Sequence, residues 1–418
     1  MTTSRDVASD VLVVGGGPAG SSVAIRLAAA GHDVTVVEQR ATAGVKACGD
    51  TLTPRAIAEL AELGIDPDDL SSHRVLGVEM RHEGRSRPIR WPDHSELPSN
   101  GLVSRRDLFD ERLRLAAVVA GARVLMGHAA TTPIIDRGFV RGAHLSTPDG
   151  GTCSARARFV VVADGAGSRF GRVLGTSRDH RWPYAIAART YFESPRTDHP
   201  WIEATLGLAA ANGSPVAGYG WVVPVGDGTV NVGIGVLSTA SDVKRINALK
   251  LLDAFAESIA ERWRFDSRAP CDAPTRHRLP LGGSVDPKMG PTFLVVGDAA
   301  GAANPFSGVG ISTALMTGRL AASTLDDALV TGDAASLQRY PTLLTDEVGR
   351  YYKVGRLTAR FLGRPGILGP LLGIGTRSDK LMGGMLRIAG NELRSVDPGG
   401  TERAYAIAAT LSKLAPSW

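Results

Sequence analysis

The chemistry of this chain begins at a run of glycines and the acid that follows it. Residues 11–14 are apolar, Gly15-Gly16-Gly17-Pro18-Ala19-Gly20 spell G-x-G-x-x-G, and a second apolar run at 34–37 closes on Glu38. Between strand and helix, the first glycine turns the chain, the second admits a pyrophosphate and the third lets the helix pack on the sheet. A helix opening at Pro18 and Ala19 aims unpaired N–H groups at that phosphate. Glu38, followed by Gln39 and Arg40, stands where a carboxylate accepts hydrogen bonds from an adenosine ribose, which argues against a 2′-phosphate. The glycines alone would also suit a plain tight turn, but strand, glycines, helix, strand and acid together read as a dinucleotide site.

Two more turns repeat the theme. The apolar run 159–163 ends in Asp164-Gly165-Ala166-Gly167-Ser168, and the run 293–296 ends in Gly297-Asp298-Ala299-Ala300-Gly301. Ligands of an open parallel sheet bind at the carboxyl ends of its strands, so three such turns can converge on one extended cofactor.

The intervening pattern supplies the elements that must hold these turns. Apolar spacing predicts helices over 54–63, 106–120, 243–263 and 310–330, and alternation predicts strands over 75–90, at 122–126 and through the β-rich stretch 184–237. Gly226-Asp227-Gly228 reads as a hairpin turn within that stretch. The remainder is helical and punctuated by glycine.

Composition bounds what such a chain does. Its 418 residues, 43% hydrophobic, suffice for two or three cores without staples. Three scattered cysteines, Cys48, Cys153 and Cys271, make no C-x-x-C, and the nine histidines lack ligand spacing, so neither a disulfide framework nor a metal site is expected. Residues 1–10 lack the apolar core of a signal peptide, and no run is long enough to span a bilayer, which predicts a cytoplasmic protein. The net charge of +5 is uneven: residues 350–394 hold nine cations against two acids, a local +7. Interspersed with Leu357, Phe361, Leu362, Ile367, Leu368, Leu371 and Leu372, this stretch suits peripheral contact with the inner membrane face, or else the solvated face of a packed helix pair. No nucleic-acid module accompanies the charge.

The three turns, in this order and spacing, resemble the flavoprotein family that includes para-hydroxybenzoate hydroxylase, squalene epoxidase, flavin-dependent halogenases and the geranylgeranyl reductases; the likeness spans roughly residues 1–330. Two further segments resemble its reductase branch. Lys46-Ala47-Cys48-Gly49-Asp50-Thr51-Leu52-Thr53-Pro54 is similar to K-x-C-G-x-x-L-x-P, and Tyr219-Gly220-Trp221-Val222-Val223-Pro224 with Val232-Gly233-Ile234-Gly235 is similar to Y-x-W-x-F-P and V-G-x-G. Val225, where many members have lysine, and Val309, where G-E-G-I is common, depart from the pattern.

The resemblance implies an α/β fold in which residues 1–75, 100–180 and 280–335 form a discontinuous Rossmann-like FAD-binding domain. Residues 76–99 and 181–279 would form a β-rich substrate domain, and 336–418 a C-terminal helical region. It assigns Gly15, Gly17, Pro18, Ala19, Gly20, Glu38, Gln39 and Arg40 to the ADP half of FAD, and Arg106 to the diphosphate or ribityl side. Asp164 and Gly165 support the cofactor from mid-chain, Gly297 and Asp298 hold the ribityl hydroxyls, and Pro305, Gly308, Gly310 and Ile311 lie beside the isoalloxazine. Cys48, Gly49 and Asp50 join the cofactor site. Cys48, Tyr219 and Trp221 are the catalytic candidates: the aromatics as the wall of an apolar tunnel, the thiol as an accessible group whose pKa the nearby Lys46 lowers. Plain core packing is the alternative for all three.

The expected activity is reduction of an isoprenoid double bond in a polyprenyl lipid or prenylquinone, with a menaquinone-like substrate. An FAD monooxygenase or halogenase of specialised metabolism, with a polyketide-like substrate, shares the cofactor motifs, and a flavin-binding sensor is the non-enzymatic reading. The electron donor, NAD(P)H or a reduced protein carrier, leaves no second fingerprint.

Overall fold

A computed structural model describes residues 6–42, 44, 46, 48–70, 73–210, 213–240, 243–362, 378–394 and 398–412. Strand Val7–Val14 pairs in parallel with Val34–Glu38 on one side and with Thr152–Val162 on the other. Arg123–Met126 and Phe293–Val295 extend this parallel core outward. Val14 is level with Val37 and with Val162, which is level with Val295, so the three glycine turns leave one edge of the sheet side by side.

Each face of this sheet has its own cover, which is why its strands are apolar throughout rather than alternating. Val11, Val13, Val34, Val36, Phe159, Val161 and Leu294 face helices Pro18–Ala29 and Ile311–Thr331. Leu12, Val14, Val37, Val160 and Val162 face the other way, with residues of the antiparallel hairpin Ala129–Asp136 and Phe139–Ser146 completing that cluster. The two helices approach closely because of Gly318, where a Cβ would stand 2.7 Å from the Ala19 carbonyl oxygen.

The second sheet has seven strands, running Thr275–Pro280, Tyr184–Glu193, Thr229–Leu237, Pro215–Pro224, Trp201–Ala209, Gly77–His82 and Arg85–Arg90. Its strands do alternate. Val222, Val230, Val232 and Ile234 pack on helix Ala248–Trp263, whereas Tyr219, Trp221, Val223 and Tyr191 face an opposite cluster with Trp91 and Val103. A small sheet of Thr51–Leu52, Gly101–Val103 and His73–Val75 brackets, along the chain, the strands Gly77–His82 and Arg85–Arg90 of the seven-stranded sheet.

Two boundaries differ from the sequence pattern. The helix expected from residue 243 starts at Ala248, because Asn247 Oδ1 accepts from the Leu249 and Lys250 N–H groups and the chain before it forms a separate short turn. The strand expected at 159–163 reaches back to Thr152, where pairing with Phe139–Ser146 supplies its hydrogen bonds.

Helix Arg350–Leu362 packs Tyr351, Tyr352 and Val354 into the core. Several of the basic stretch's cations have protein partners: Arg356 stacks on Trp182 at 3.7 Å and donates to the Gly282 carbonyl at 2.6 Å, and Arg387 and Arg394 pair with Glu402. Ile367, Leu368, Leu371 and Leu372 and the Phe361 and Leu362 side chains lie outside the described part. Among the described residues no helix is long and apolar enough to cross a membrane.

Candidate functional site

The three turns touch one another. Gly15 has φ +109°, and a Cβ there would stand 2.4 Å from the Ala163 carbonyl oxygen, at the base of the Asp164 turn. Gly20 allows the helix to start against that loop, since a Cβ would lie 2.0 Å from the Gly15 carbonyl oxygen. Gly297, with φ +58°, sits where a Cβ would come 2.8 Å from that of Ala19. Every one of these contacts rejects a side chain, so the glycines are demanded by backbone packing as well as by a ligand's approach.

Glu38 ties the end of the second strand to the glycine loop. One carboxylate oxygen accepts the Gly16 N–H at 2.9 Å and the other the Arg40 N–H at 3.1 Å. A carboxylate has about four lone-pair sites, so acceptor capacity remains for a ribose. Asp164 Oδ2 accepts the Phe170 N–H at 3.1 Å, and its buried Oδ1 has no protein partner among the described residues. Burial raises the pKa of Asp164 and of Asp298; Arg106 and Lys46 oppose the shift at Asp298. Gly310 opens helix Ile311–Thr331, and its Cβ position lies 3.4 Å from Asp298 Oδ1, so helix start and acid face the same space.

Arg106, at the start of helix Arg106–Val119, is buried and grips Asp110 with bonds of 2.8, 3.0 and 3.1 Å. Although burial works against its charge, Asp110 and the Cys48 sulfur more than compensate and raise its pKa. Asp110 is likewise held below the usual carboxylate range: burial favours the neutral acid, but Arg106 and Lys46 outweigh it.

Lys46 corrects a sequence expectation. Its ammonium stands 3.5 Å from Asp110 and 3.1 Å from the position of a Gly17 Cβ, so it overhangs the glycine loop. The cation that reaches the Cys48 sulfur is Arg106. The thiol is half-buried against the apolar cluster that includes Leu52, Phe109 and Ile311, and burial pushes its pKa up, aided by Asp50 and opposed by Arg106. An accessible, low-pKa thiol is therefore not what this loop builds.

Tyr219 and Trp221 share one face of strand Pro215–Pro224, their rings 5.8 Å apart. The Tyr219 hydroxyl donates to the Ser307 carbonyl at 2.7 Å, joining this strand to the loop before helix Ile311–Thr331. Its pKa is pushed up to about 12, by burial first and then by Cys48, which places thiol and phenol within electrostatic reach. The glycines of the paired strand explain V-G-x-G: Trp221 is registered with Gly233 and Tyr219 with Gly235. A Cβ on Gly233 would be 2.1 Å from the indole and one on Gly235 3.2 Å from the phenol. The aromatics thus lie over a strip of bare backbone.

The FAD binding domain family matches residues 8–343 of the chain. A menaquinone reductase of Mycobacterium tuberculosis is 36% identical over 411 residues, 98% of each chain. A digeranylgeranylglycerophospholipid reductase of Methanopyrus kandleri is 34% identical over 355 residues, 82% of this chain and 84% of its own. The chain belongs to the FAD-binding family, in its geranylgeranyl reductase branch. Among solved structures, a geranylgeranyl bacteriochlorophyll reductase-like protein of Thermoplasma acidophilum is 26% identical with a TM-score of 0.76, covering 98% of both chains. A flavin-dependent brominase, 17% identical with a TM-score of 0.75 over 98% of this chain and 100% of its own, shares the fold.

This geranylgeranyl reductase family member is an FAD-dependent oxidoreductase. Its residues fit the cofactor: the side-chain-free turn at Gly15–Gly17, the unpaired Asp164 oxygen, and an Asp298 carboxylate that accepts no hydrogen bond among the described residues while facing two cations. Pro305 and Gly308, with φ +73°, lie in the loop beside Tyr219, and Ile311 is buried in the cluster on which Cys48 packs. Gln39 and Arg40 follow Glu38, with the Arg40 guanidinium closing on the Gly44 carbonyl at 3.3 Å.

Several residues of the site carry no family motif in the sequence. Asn231, fully buried, takes the Trp221 indole N–H at 3.0 Å and donates at 2.7 Å both to the Cys48 carbonyl and to Asp50. Arg189 donates twice to the Lys46 carbonyl, at 3.0 and 2.9 Å, and pairs with Asp272. Asn304 shapes the loop before helix Ile311–Thr331 by accepting the Phe306 N–H at 2.9 Å. The available signal was a polar residue inside an apolar strand, as in Val230-Asn231-Val232, and the turn-forming Asn304-Pro305 pair. Val225 and Val309 bring no charge: Val225 is buried in the Trp221 cluster, and Val309 bonds through its backbone to Asn304.

Proposed function

We propose that this FAD-dependent reductase saturates an isoprenoid double bond of a prenylquinone or polyprenyl lipid. The observation that carries the reading is the meeting of the Cys48 loop, the Tyr219 and Trp221 face and the Ser307 loop at the flavin side of the fold. The relatives' names, menaquinone reductase and digeranylgeranylglycerophospholipid reductase, support the substrate class.

FAD, when bound and reduced, supplies the hydride for one alkene carbon. Gly15–Gly20 and Glu38 would hold its ADP half, Lys46 and Arg106 would offset its diphosphate charge, and Asp298 would accept from its ribityl hydroxyls. Tyr219 and Trp221 line the apolar wall against which the prenyl chain lies, and their burial excludes water from the reacting bond. Cys48 completes the addition as proton donor. A thiol whose pKa is raised keeps its proton at neutral pH, and Arg106 beside the sulfur stabilises the thiolate left behind. A fully flavinated Cys48→Ala enzyme should retain its cofactor and turn over at least tenfold more slowly; unchanged turnover returns Cys48 to a packing role.

Electrons come from NAD(P)H or a reduced protein carrier. The lipid enters from a membrane face that the protein contacts peripherally, with Leu381, Met385, Ile407 and Leu411 exposed on helices Asp379–Gly390 and Gly400–Leu411.

The deciding experiment supplies chemically reduced enzyme with a prenylquinone under strict anaerobiosis. Product mass should show the gain of two hydrogens at the two former alkene carbons, and no oxygen. A product formed only with oxygen, and carrying an oxygen or halogen atom, would overturn the reading.

A further inference from the structure

Asp50 follows Cys48-Gly49 and is fully buried, in the left-handed backbone region at φ +57°. Short polar side chains tolerate that region better than most, so the position favours Asp or Asn on backbone grounds alone. Its Oδ2 accepts from the Tyr191 hydroxyl and, at 2.7 Å, from Asn231 Nδ2, while Oδ1 has no partner among the described residues. The Asp50 N–H points back to the Cys48 sulfur at 3.4 Å.

These bonds run from the flavin-side loop into the seven-stranded sheet. Tyr191 and Asn231 are cross-strand neighbours in register, so their polar ends arrive together. Asn231 also holds the Cys48 carbonyl and receives the Trp221 indole N–H, and Arg189 fixes the Lys46 carbonyl two residues before Cys48. The guanidinium groups of Arg189 and Arg105 flank the Tyr191 ring at 4.3 and 4.6 Å, restraining the phenol that holds Asp50. One carboxylate oxygen thus joins two strands to the two residues before it.

We propose that Asp50 is a positioning residue that, through Tyr191 and Asn231, sets the Cys48 loop and its thiol against the Trp221 strand and locks the flavin-side loop to the substrate sheet. It acts through Cys48, and the inference rests on the reading of Cys48 as proton donor. Buried networks of this kind are sensitive to partial removal, because each lost partner leaves another polar group unsatisfied.

The test uses the flavin-loaded enzyme and two conservative variants, Asp50→Asn, which keeps the left-handed backbone, and Tyr191→Phe, which removes one hydroxyl. Alkylation of Cys48 by iodoacetamide, located by peptide mass spectrometry and so separated from Cys153 and Cys271, reads the thiol's setting without any turnover. Each variant should hold FAD, alkylate Cys48 about tenfold faster than the parent, and lose about tenfold in kcat with KM little changed. The double variant should add little to either single one, since both break the same hub. A folded, flavin-loaded variant whose Cys48 reacts at the parental rate, including no reaction in either protein, overturns the proposal. If Asp50→Asn does not fold, Tyr191→Phe decides alone. Faster alkylation of the variants beside a parent that reduces no prenyl substrate would retain the hub and sink the reductase reading instead.

Discussion

The indole of Trp221 lies across its strand neighbour Gly233 so closely that a Cβ on the glycine would stand 2.1 Å from the ring, while its N–H is held by Asn231 at 3.0 Å. Bare backbone below and one hydrogen bond at the edge leave the ring a single place to lie. The same strand gives Tyr219 its seat over Gly235, from which the hydroxyl reaches Ser307. The Tyr219–Trp221 strand and the Ser307 loop are therefore joined through paired aromatic and glycine positions.

Gly233→Ala should expel the indole. Overpacking of this kind costs about 1–3 kcal/mol, and loss of the indole bond adds roughly 1 kcal/mol. Urea denaturation should show reduced stability, and tryptophan fluorescence should shift to the red as Trp221 moves toward solvent. A parental spectrum and midpoint would mean that the ring has another resting place.

Glu38→Ala and Asp298→Ala should each weaken FAD binding about tenfold to a hundredfold, the loss of a charge-assisted hydrogen bond worth on the order of 1.5–3 kcal/mol. Flavin absorbance after dialysis measures it. Because Glu38 also holds the Gly16 and Arg40 N–H groups, its variant should lose thermal stability in the apo form, whereas Asp298→Ala should not.

Glu392 predicts a pH dependence. It is buried, and burial pushes its pKa from 4.5 up to about 8 against the pull of Arg55 and Arg387. An unfolded glutamate releases its proton near 4.5, so between there and 8 the unfolded chain binds fewer protons than the folded one and stability falls as pH rises. Glu392→Gln should remove that decline. Thermal midpoints from pH 5 to 9 should separate with rising pH, with the variant the more stable above neutrality; parallel curves would refute the assignment.

Peripheral docking predicts co-sedimentation with vesicles that rises with anionic lipid and falls with salt, as screened surface attraction does. Leu381→Ser combined with Met385→Ser should weaken it at every salt concentration, because these exposed side chains contribute apolar rather than charged contact. Equal binding to neutral and anionic vesicles would remove the electrostatic part.

The amino-acid sequence by itself determined the parallel sheet, its three glycine turns and the family. Apolar runs, glycines and acids at set spacing are local signals, and backbone geometry enforces them locally, as at Gly15 and Gly20. It also placed Tyr219 and Trp221 on one strand face, since side chains alternate with period two. Only the tertiary structure decided which charge meets which group. Lys46 lies two residues from Cys48 but is drawn to Asp110, whereas Arg106, distant in sequence, reaches the sulfur; burial then reverses the direction of the thiol's pKa. Asp50, Tyr191 and Asn231 lie 141 and 181 residues apart along the chain and meet only because strand pairing registers Tyr191 with Asn231 beside the loop. Hydrogen bonds and desolvation depend on what is packed around a group, and that is a property of the assembled fold.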